Sequence, residues 1–327
     1  MTAPWLTCRP ELKVLDCTIR DGGLNNGHHF DDEFVRAVYQ ANVDAGVDYM
    51  EIGYKASEKV FPRSDFGPWK FCDEEDIRRI VGENDTPLKL SIMADAGKSD
   101  WKKEIVPRSE SVLDMIRVAF YAHQLSEAVD MIHHAAECGY EVSANLMAVS
   151  VTGEVEVDEV LEGISKTPVN ILAVVDSFGA LYAEQVEALV KKYMKYIKSG
   201  NNGNIVREVG MHAHNNQQLA FANSIEAIIH GANSVDASML GVGRGAGNCP
   251  MELMIGFLCN PKFKLRPIYK VIQDHLLPLS RQVEWGPLIQ YNITGQLNEH
   301  PRTAMAARAS DECDNYLDFY DKMVDDR

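Results

Sequence analysis

Eight short apolar runs alternate with amphipathic helical patterns along the 327 residues, and the last stretch carries helical patterns alone. Together they predict an α/β protein, a (β/α)8 TIM barrel with a C-terminal all-helical extension. A third observation agrees: polar residues gather at the ends of the apolar runs, where such a barrel presents its active face. The barrel is predicted over residues 1–265 and the extension over residues 266–327.

The first predicted strand is residues 12–18 (LKVLDCT), followed by a loop, IRDGGLNNGHHF, and a helix from Asp31 or Asp32 to Gly46. Residues 47–54 form the second strand. The segment onward to Phe71, with its prolines, glycines and aromatics, predicts a long loop over the barrel mouth, and Asp73 opens a helix with acids in its first turn. Strands follow at residues 88–94, 115–120, 141–147, 170–176, 206–214 and 234–240. Helices are clearest at 124–138, 156–165, 183–197 and 217–229, and residues 199–204 (SGNNGN) read as a surface turn. In the extension, helices are predicted at 268–278, 287–296, 301–309 and 316–324. A doubly wound open sheet is the main alternative fold, but no GxGxxG loop follows the first strand.

Apolar content is 46% and charged content 24%, ordinary for a globular protein, and the formal net charge is -16. That charge argues against nucleic acid and against an anionic membrane surface as partners. Seven cysteines without a CxxC pair read as reduced thiols. The opening MTAPWLTCRPELK lacks a basic start and apolar core, and no apolar run reaches about 18 residues, so a cytoplasmic location is expected.

The stretch VGMHAHNN places His212 and His214 two residues apart, on one face of a strand with Cβ atoms roughly 6 to 7 Å apart. Two imidazoles so placed can grip one metal ion. The other strand ends carry Arg20 and Asp21, Glu51, Asn145, Asp176 and Ser177, and the loop after the eighth strand carries Asn248. A carboxylate, two imidazoles and an amide oxygen suit a divalent ion with open positions, Mn²⁺ or Mg²⁺ ahead of Zn²⁺; two histidines and one carboxylate also fit non-haem iron. Arg20 would set a fixed cation against an oxyanion, with Glu51 and Asp176 orienting or neutralising neighbours. The plainer reading pairs Arg20 with Asp21 or Glu51 as ions at the barrel rim.

DCTIRDGG at residues 16–23 together with MHAHNN at 211–216 resembles the metal-dependent aldolase, lyase and acyl-CoA condensing superfamily, the HMG-CoA lyase-like or DRE-TIM metallolyases, over roughly residues 13–257. The resemblance implies that Asp21, His212 and His214 bind a divalent ion, Mn²⁺ first and Mg²⁺, Co²⁺ or Zn²⁺ as alternatives. Asn248 would add a fourth ligand, and Arg20 would stabilise an enolate oxygen. Within the superfamily, GMHAHNN, ANSI, VDASMLGVGRGAGNCPMEL and DSFGA are similar to the pyruvate-type aldolases of the 4-hydroxy-2-oxovalerate class. Condensing synthases carry HND where this chain has Asn215 and Asn216, and the hydroxymethylglutaryl-CoA lyases carry a cysteine loop in place of GVGRGAG.

The aldolases also carry an acid/base histidine two residues after the RDG glycine, and here that position is Leu24. His28 or His29 is then the candidate for proton transfer, with Tyr291 of the extension as a further one. Ser177 and Asn145, with Asp176 beside them, are the expected substrate contacts. The resemblance implies a 2-oxo acid and an aldehyde as substrates, a homodimer, and an aldehyde dehydrogenase as a further partner. Two other readings stand beside the aldolase: a Claisen-type enzyme acting on an acyl-CoA, and a catalytically silent barrel acting as a binding or partner subunit.

Overall fold

A computed structural model describes residues 9–199 and 207–325 of the chain. Its centre is a closed barrel of eight parallel strands in sequence order, with β8 pairing back on β1 from Lys13 opposite Ser234 to Asp16 opposite Ala237. In chain order come β1 (Lys13–Asp16), α1 (Thr18–Gly22), α2 (Asp32–Ala45), β2 (Tyr49–Tyr54), α3 (Glu74–Val81), β3 (Lys89–Asp95), α4 (Trp101–Glu104) and β4 (Met115–Phe120). Next are α5 (Leu125–Glu137), β5 (Glu141–Leu146), α6 (Glu154–Ser165), β6 (Ile171–Asp176), α7 (Ala183–Ser199), β7 (Glu208–Ala213), α8 (Ala220–Ile229) and β8 (Ser234–Ala237). The chain ends with α9 (Met251–Leu258), α10 (Leu265–Val271), α11 (Leu277–Leu279), α12 (Ile289–Gln296), α13 (Arg302–Arg308) and α14 (Tyr316–Asp325).

The helix packing follows from residue spacing. In α2, Phe34, Val35, Val38, Ala41 and Ala45 recur at helical intervals and bury against the barrel. Asp31 starts that helix by accepting the Phe34 N–H at 2.8 Å, and Gly46, at φ +73°, ends it. No helix among the described residues is long and apolar enough to cross a membrane.

Three predicted elements differ from the structure in ways that shape the site. The first strand stops at Asp16, because that carboxylate accepts the backbone N–H and hydroxyl of Thr18 and the Asn42 amide, turning the chain into α1. Arg20 and Asp21 therefore sit on a buried helical turn, not in an open loop. The eighth strand stops at Ala237; Leu240 takes a left-handed φ of +55°, and the Thr18 hydroxyl accepts the Met239 N–H at 2.9 Å. His214 lies one residue beyond β7, in a bridge to Asn248. Residue 206 and most of the predicted SGNNGN turn lie outside the described residues.

The extension packs on the active face. Tyr291, Ile293, Ala304 and Phe319 form a small core with Ala246 of the loop after β8. Asn292 donates to the Asn216 carbonyl at 2.5 Å, Asn298 to that of Ser150 at 2.9 Å, and Trp285 to that of Leu240 at 3.2 Å. These bonds hold α12 and its flanks over the strand ends, and α13 brings Arg302 and Met305 to the mouth.

Candidate metal centre and substrate cavity

Inside the barrel, beyond a small apolar layer of Leu15, Cys17, Tyr49, Met115 and Ile171, charge takes the place of apolar filling. Glu51 on β2, fully buried, accepts from Arg20 Nε at 2.6 Å and from Arg117 Nη1 at 2.9 Å. Arg117, on β4, continues to Asp236 on β8 and to Asn145 Oδ1 at 3.1 Å, and Asp236 accepts from His212 Nδ1 at 3.0 Å. Breaking one member of such a buried chain strands its partner's charge, so the chain fixes Arg20 and His212 in place. Burial would raise the Asp236 carboxyl, but Arg117 and His212 hold it below the usual carboxylate range.

Asp21, His212 and His214, all buried, bring one donor atom each within 4.8 Å of the others. An ionised carboxylate is the sole acceptor at His212 Nδ1, and the Gly247 carbonyl lies 3.2 Å from His214 Nδ1. Each Nδ1 therefore carries its proton, which leaves Nε2 as the nitrogen that would face a metal. Asn248 donates to Asp21 Oδ2 at 2.7 Å, while its own buried Oδ1 has no partner. Burial would raise the Asp21 carboxyl, yet Arg20, His214 and His212 hold it far below its usual range; burial keeps His214 neutral. The donor set is pre-oriented, with one amide oxygen to spare, and it fits a divalent ion. A second cluster among the described residues, Glu187, Glu226 and His230, lies near the surface.

Gly243 makes this packing feasible. A Cβ there would lie 2.2 Å from Asn248 Nδ2 and 2.5 Å from Asp21 Oδ2. Gly243→Ala is expected to weaken divalent-ion affinity by about tenfold or more, since such overpacking costs roughly 1–3 kcal/mol. Isothermal titration of both proteins with Mn²⁺ checks this; equal affinities would show that the loop yields without cost.

A cavity of about 270 Å³ opens beside the cluster, walled by Arg20, Asp21, Asn145, Ser177, His212 and His214. Arg20 Nη2 is buried without a partner. Ser177 accepts the Ala148 N–H at 2.8 Å, which leaves its hydroxyl proton to donate.

Other expected residues stand elsewhere. Glu51 orients the two arginines from behind and does not line the cavity. Asp176 turns its carboxylate onto the backbone N–H groups of Ala180 and Leu181, at 3.0 and 3.1 Å, and burial pushes its carboxyl up to about 6. It shapes the loop after β6 and does not line the cavity. Tyr291 packs against Gly245 within the extension's core, away from the cavity wall.

The two loop histidines diverge, and neither lines the cavity. His29 is exposed, whereas His28 is buried edge-on to Tyr54 with both ring nitrogens unpartnered. Burial drives the His28 pKa well below its ordinary value, with Lys70 and Arg20 adding to it. A histidine depressed in this way contributes stability above about pH 6.5 that is lost as pH falls. The stability difference between wild type and His28→Gln should therefore shift toward the variant by up to about 1 kcal/mol between pH 6.5 and 5.5. Urea unfolding at pH 6.5 and 5.5 measures it, and a constant difference would mean that His28 protonates freely in the fold.

Sequence reasoning missed Arg117, Asp236, Tyr54, Lys70, Arg244, His300 and Arg302, all of which line the cavity or hold its wall. Arg117 and Asp236 carry a legible signal, a charge inside an otherwise apolar strand. Tyr54 ends β2, and the others come from loops and the extension, where no periodic pattern marks them.

A family model described as HMGL-like matches residues 11–270. The chain is 29% identical over 291 residues to a 4-hydroxy-2-oxovalerate aldolase of Thermus thermophilus, covering 87% of this chain and 78% of that one. It is 30% identical over 251 residues to an oxaloacetate decarboxylase of Mycobacterium tuberculosis, covering 75% and 69%. Among solved structures, the N-terminal domain of a putative aldolase from Bacteroides vulgatus superposes with a TM-score of 0.77 at 27% identity, covering 91% of this chain and 97% of that one.

Proposed function

We propose, from the premise that this chain belongs to the HMGL-like family, that it is a divalent-metal-dependent aldolase that forms or cleaves a 4-hydroxy-2-oxo acid through a pyruvate-type enolate. The observation that carries this reading is the unpartnered Nη2 of Arg20 at the wall that Asp21, His212 and His214 share. Those three residues, with Asn248 Oδ1, would hold the ion, and Mn²⁺ suits a set of mixed oxygen and nitrogen donors. Once bound, the ion supplies Lewis-acid polarisation of the substrate's 2-oxo group.

The protein's own groups do the rest. Arg20, clamped by Glu51 and Asp21, cannot swing away, so its free N–H meets the oxygen on which negative charge grows as the C3–C4 bond breaks. Ser177 donates to the substrate carboxylate. The buried chain from Glu51 to Asp236 keeps His212 in its ligating tautomer throughout. No lysine adduct is needed, since an enolate is stabilised without forming an imine.

A second reading is favoured by Leu24, which lines the cavity where the aldolase resemblance expects an acid/base histidine. Loss of carbon dioxide from a 3-carboxy-2-oxo acid such as oxaloacetate yields the same enolate and needs no base at the departing group. Both readings are tested by following pyruvate release from 4-hydroxy-2-oxovalerate and from oxaloacetate, with Mn²⁺ and with EDTA. Metal-dependent release from a hydroxy acid supports the aldolase, release from oxaloacetate alone supports the decarboxylase, and metal-independent rates on both overturn the proposal.

A further inference from the structure

The 2-oxo acid half of the substrate is accounted for by Arg20, Ser177 and the Asp21–His212–His214 set, yet the cavity holds more positive charge than that half can use. Arg20 and Arg117 are neutralised by Asp21, Glu51 and Asp236, and Lys98 by Asp95 at 3.3 Å. Lys70, Arg244 and Arg302 also line the cavity, and among the described residues none of the three has a carboxylate partner. All of this sits in a chain of net charge -16, so the local excess is not a property of the whole surface.

Lys70 is the most telling of the three. It is 6% exposed, and its ammonium makes no hydrogen bond or ion pair, resting instead 4.2 Å from the Tyr54 ring centre and 4.1 Å from that of Phe61. Aromatic faces offset only part of an ammonium's lost hydration. Arg244 spends one nitrogen on the Ser177 carbonyl at 2.6 Å, and its buried Nε has no partner. Arg302, exposed on the extension, stands at the mouth. Lys70, Arg244 and Arg302 come from the loop after β2, the loop after β8 and the start of α13, all beyond the strand ends; Arg244 stands nearest the Asp21 side, and Lys70 and Arg302 lie farther along the wall.

We propose that the outer half of this cavity is an anion subsite, and that the aldehyde this protein condenses with or releases carries a phosphate or carboxylate group. The inference rests on the aldolase reading above. In the addition direction, C3 of pyruvate gives up a proton and bonds to the aldehyde carbon, whose oxygen takes up a proton; the anionic group stays intact and serves only for binding. Burial, the largest cause, brings the Lys70 ammonium down to about 8 against the pull of Asp95, with Lys98 and Arg20 adding to it. The other ionisable groups facing it are Tyr54 and His28. As pH rises through that value Lys70 loses its charge, and the preference for a charged aldehyde should shrink.

The test compares matched aldehydes with wild-type protein, pyruvate and Mn²⁺: glyceraldehyde 3-phosphate against glyceraldehyde, and succinic semialdehyde against butanal. The charged member of at least one pair is expected to show kcat/KM about ten- to a hundredfold higher, the worth of one charge-assisted hydrogen bond. Which pair shows it separates phosphate from carboxylate. In Lys70→Met the ratio within that pair should fall severalfold, with Arg244 and Arg302 keeping part of it. Equal or better rates for the neutral members of both pairs overturn the proposal, as does a ratio that is unchanged in Lys70→Met. Deuterium exchange into pyruvate alone, measured on the same wild-type sample, keeps the two levels apart: exchange without charge preference sinks the subsite and spares the aldolase, whereas absent exchange sinks the aldolase reading itself.

Discussion

Asp21→Asn is expected to lose divalent-ion binding and at least about three orders of magnitude of aldol turnover while the barrel stays folded. Asp21 supplies the only negative charge in the buried donor set, and two neutral imidazoles with an amide oxygen are a poor match for a hard divalent cation. The fold should tolerate the change. Asparagine keeps the shape, and Arg20 retains its bond to Glu51 at 2.6 Å. Metal content after desalting, read with far-UV circular dichroism on the same sample, separates loss of the site from loss of the fold. A variant that keeps both ion and turnover would show that the carboxylate is a structural partner of Arg20 and no ligand.

Arg20→Lys is expected to retain the ion but lose roughly 10²–10³ in kcat, the usual consequence of removing one donor aimed at a developing oxyanion. A guanidinium can bond Glu51 through Nε and Asp21 through Nη1 and still present Nη2 to the cavity. An ammonium has one nitrogen and must choose. Arg20→Leu should do more damage than Arg20→Lys. It strips a cation from between Glu51 and Asp21 in a site where an uncompensated buried charge costs about 3–5 kcal/mol, although Arg117 still neutralises part of Glu51. Comparing kcat in the lysine variant with urea stability in the leucine variant divides the chemical role from the structural one. Unchanged kcat in Arg20→Lys would remove Arg20 from the mechanism.

The barrel was legible because its signal is periodic: each parallel strand is a short apolar run, and each helix repeats its buried face. The cluster of Asp21, His212 and His214 was legible for a related reason, since strand ends converge in this architecture and the three lie on β7 and on the segments that follow β1 and β7. What escaped was set by side-chain contacts that no local pattern encodes. Asp16 ends β1 early by capturing Thr18, which turns the Arg20–Asp21 segment from a loop into a buried helical turn. His28 reads in the sequence as a loop candidate for proton transfer, but Tyr54 and Gly23 close over it; a Cβ on Gly23 would lie 2.2 Å from the His28 ring. Tyr291 reads as a residue able to reach the mouth, but its ring serves the loop packing of Gly245, while His300 and Arg302 of the same extension line the cavity. Asp176 ends a strand as an active-site carboxylate would, yet its oxygens are taken by two backbone N–H groups.

The most direct measurement is proton NMR of pyruvate in deuterium oxide with the purified protein, with Mn²⁺ added and with EDTA. Catalysed exchange of the methyl protons that requires the ion and disappears in Asp21→Asn is the expected result, because enolate formation is the step that the Arg20 and Asp21–His212–His214 geometry supports. No exchange above background with the ion demonstrably bound would contradict it.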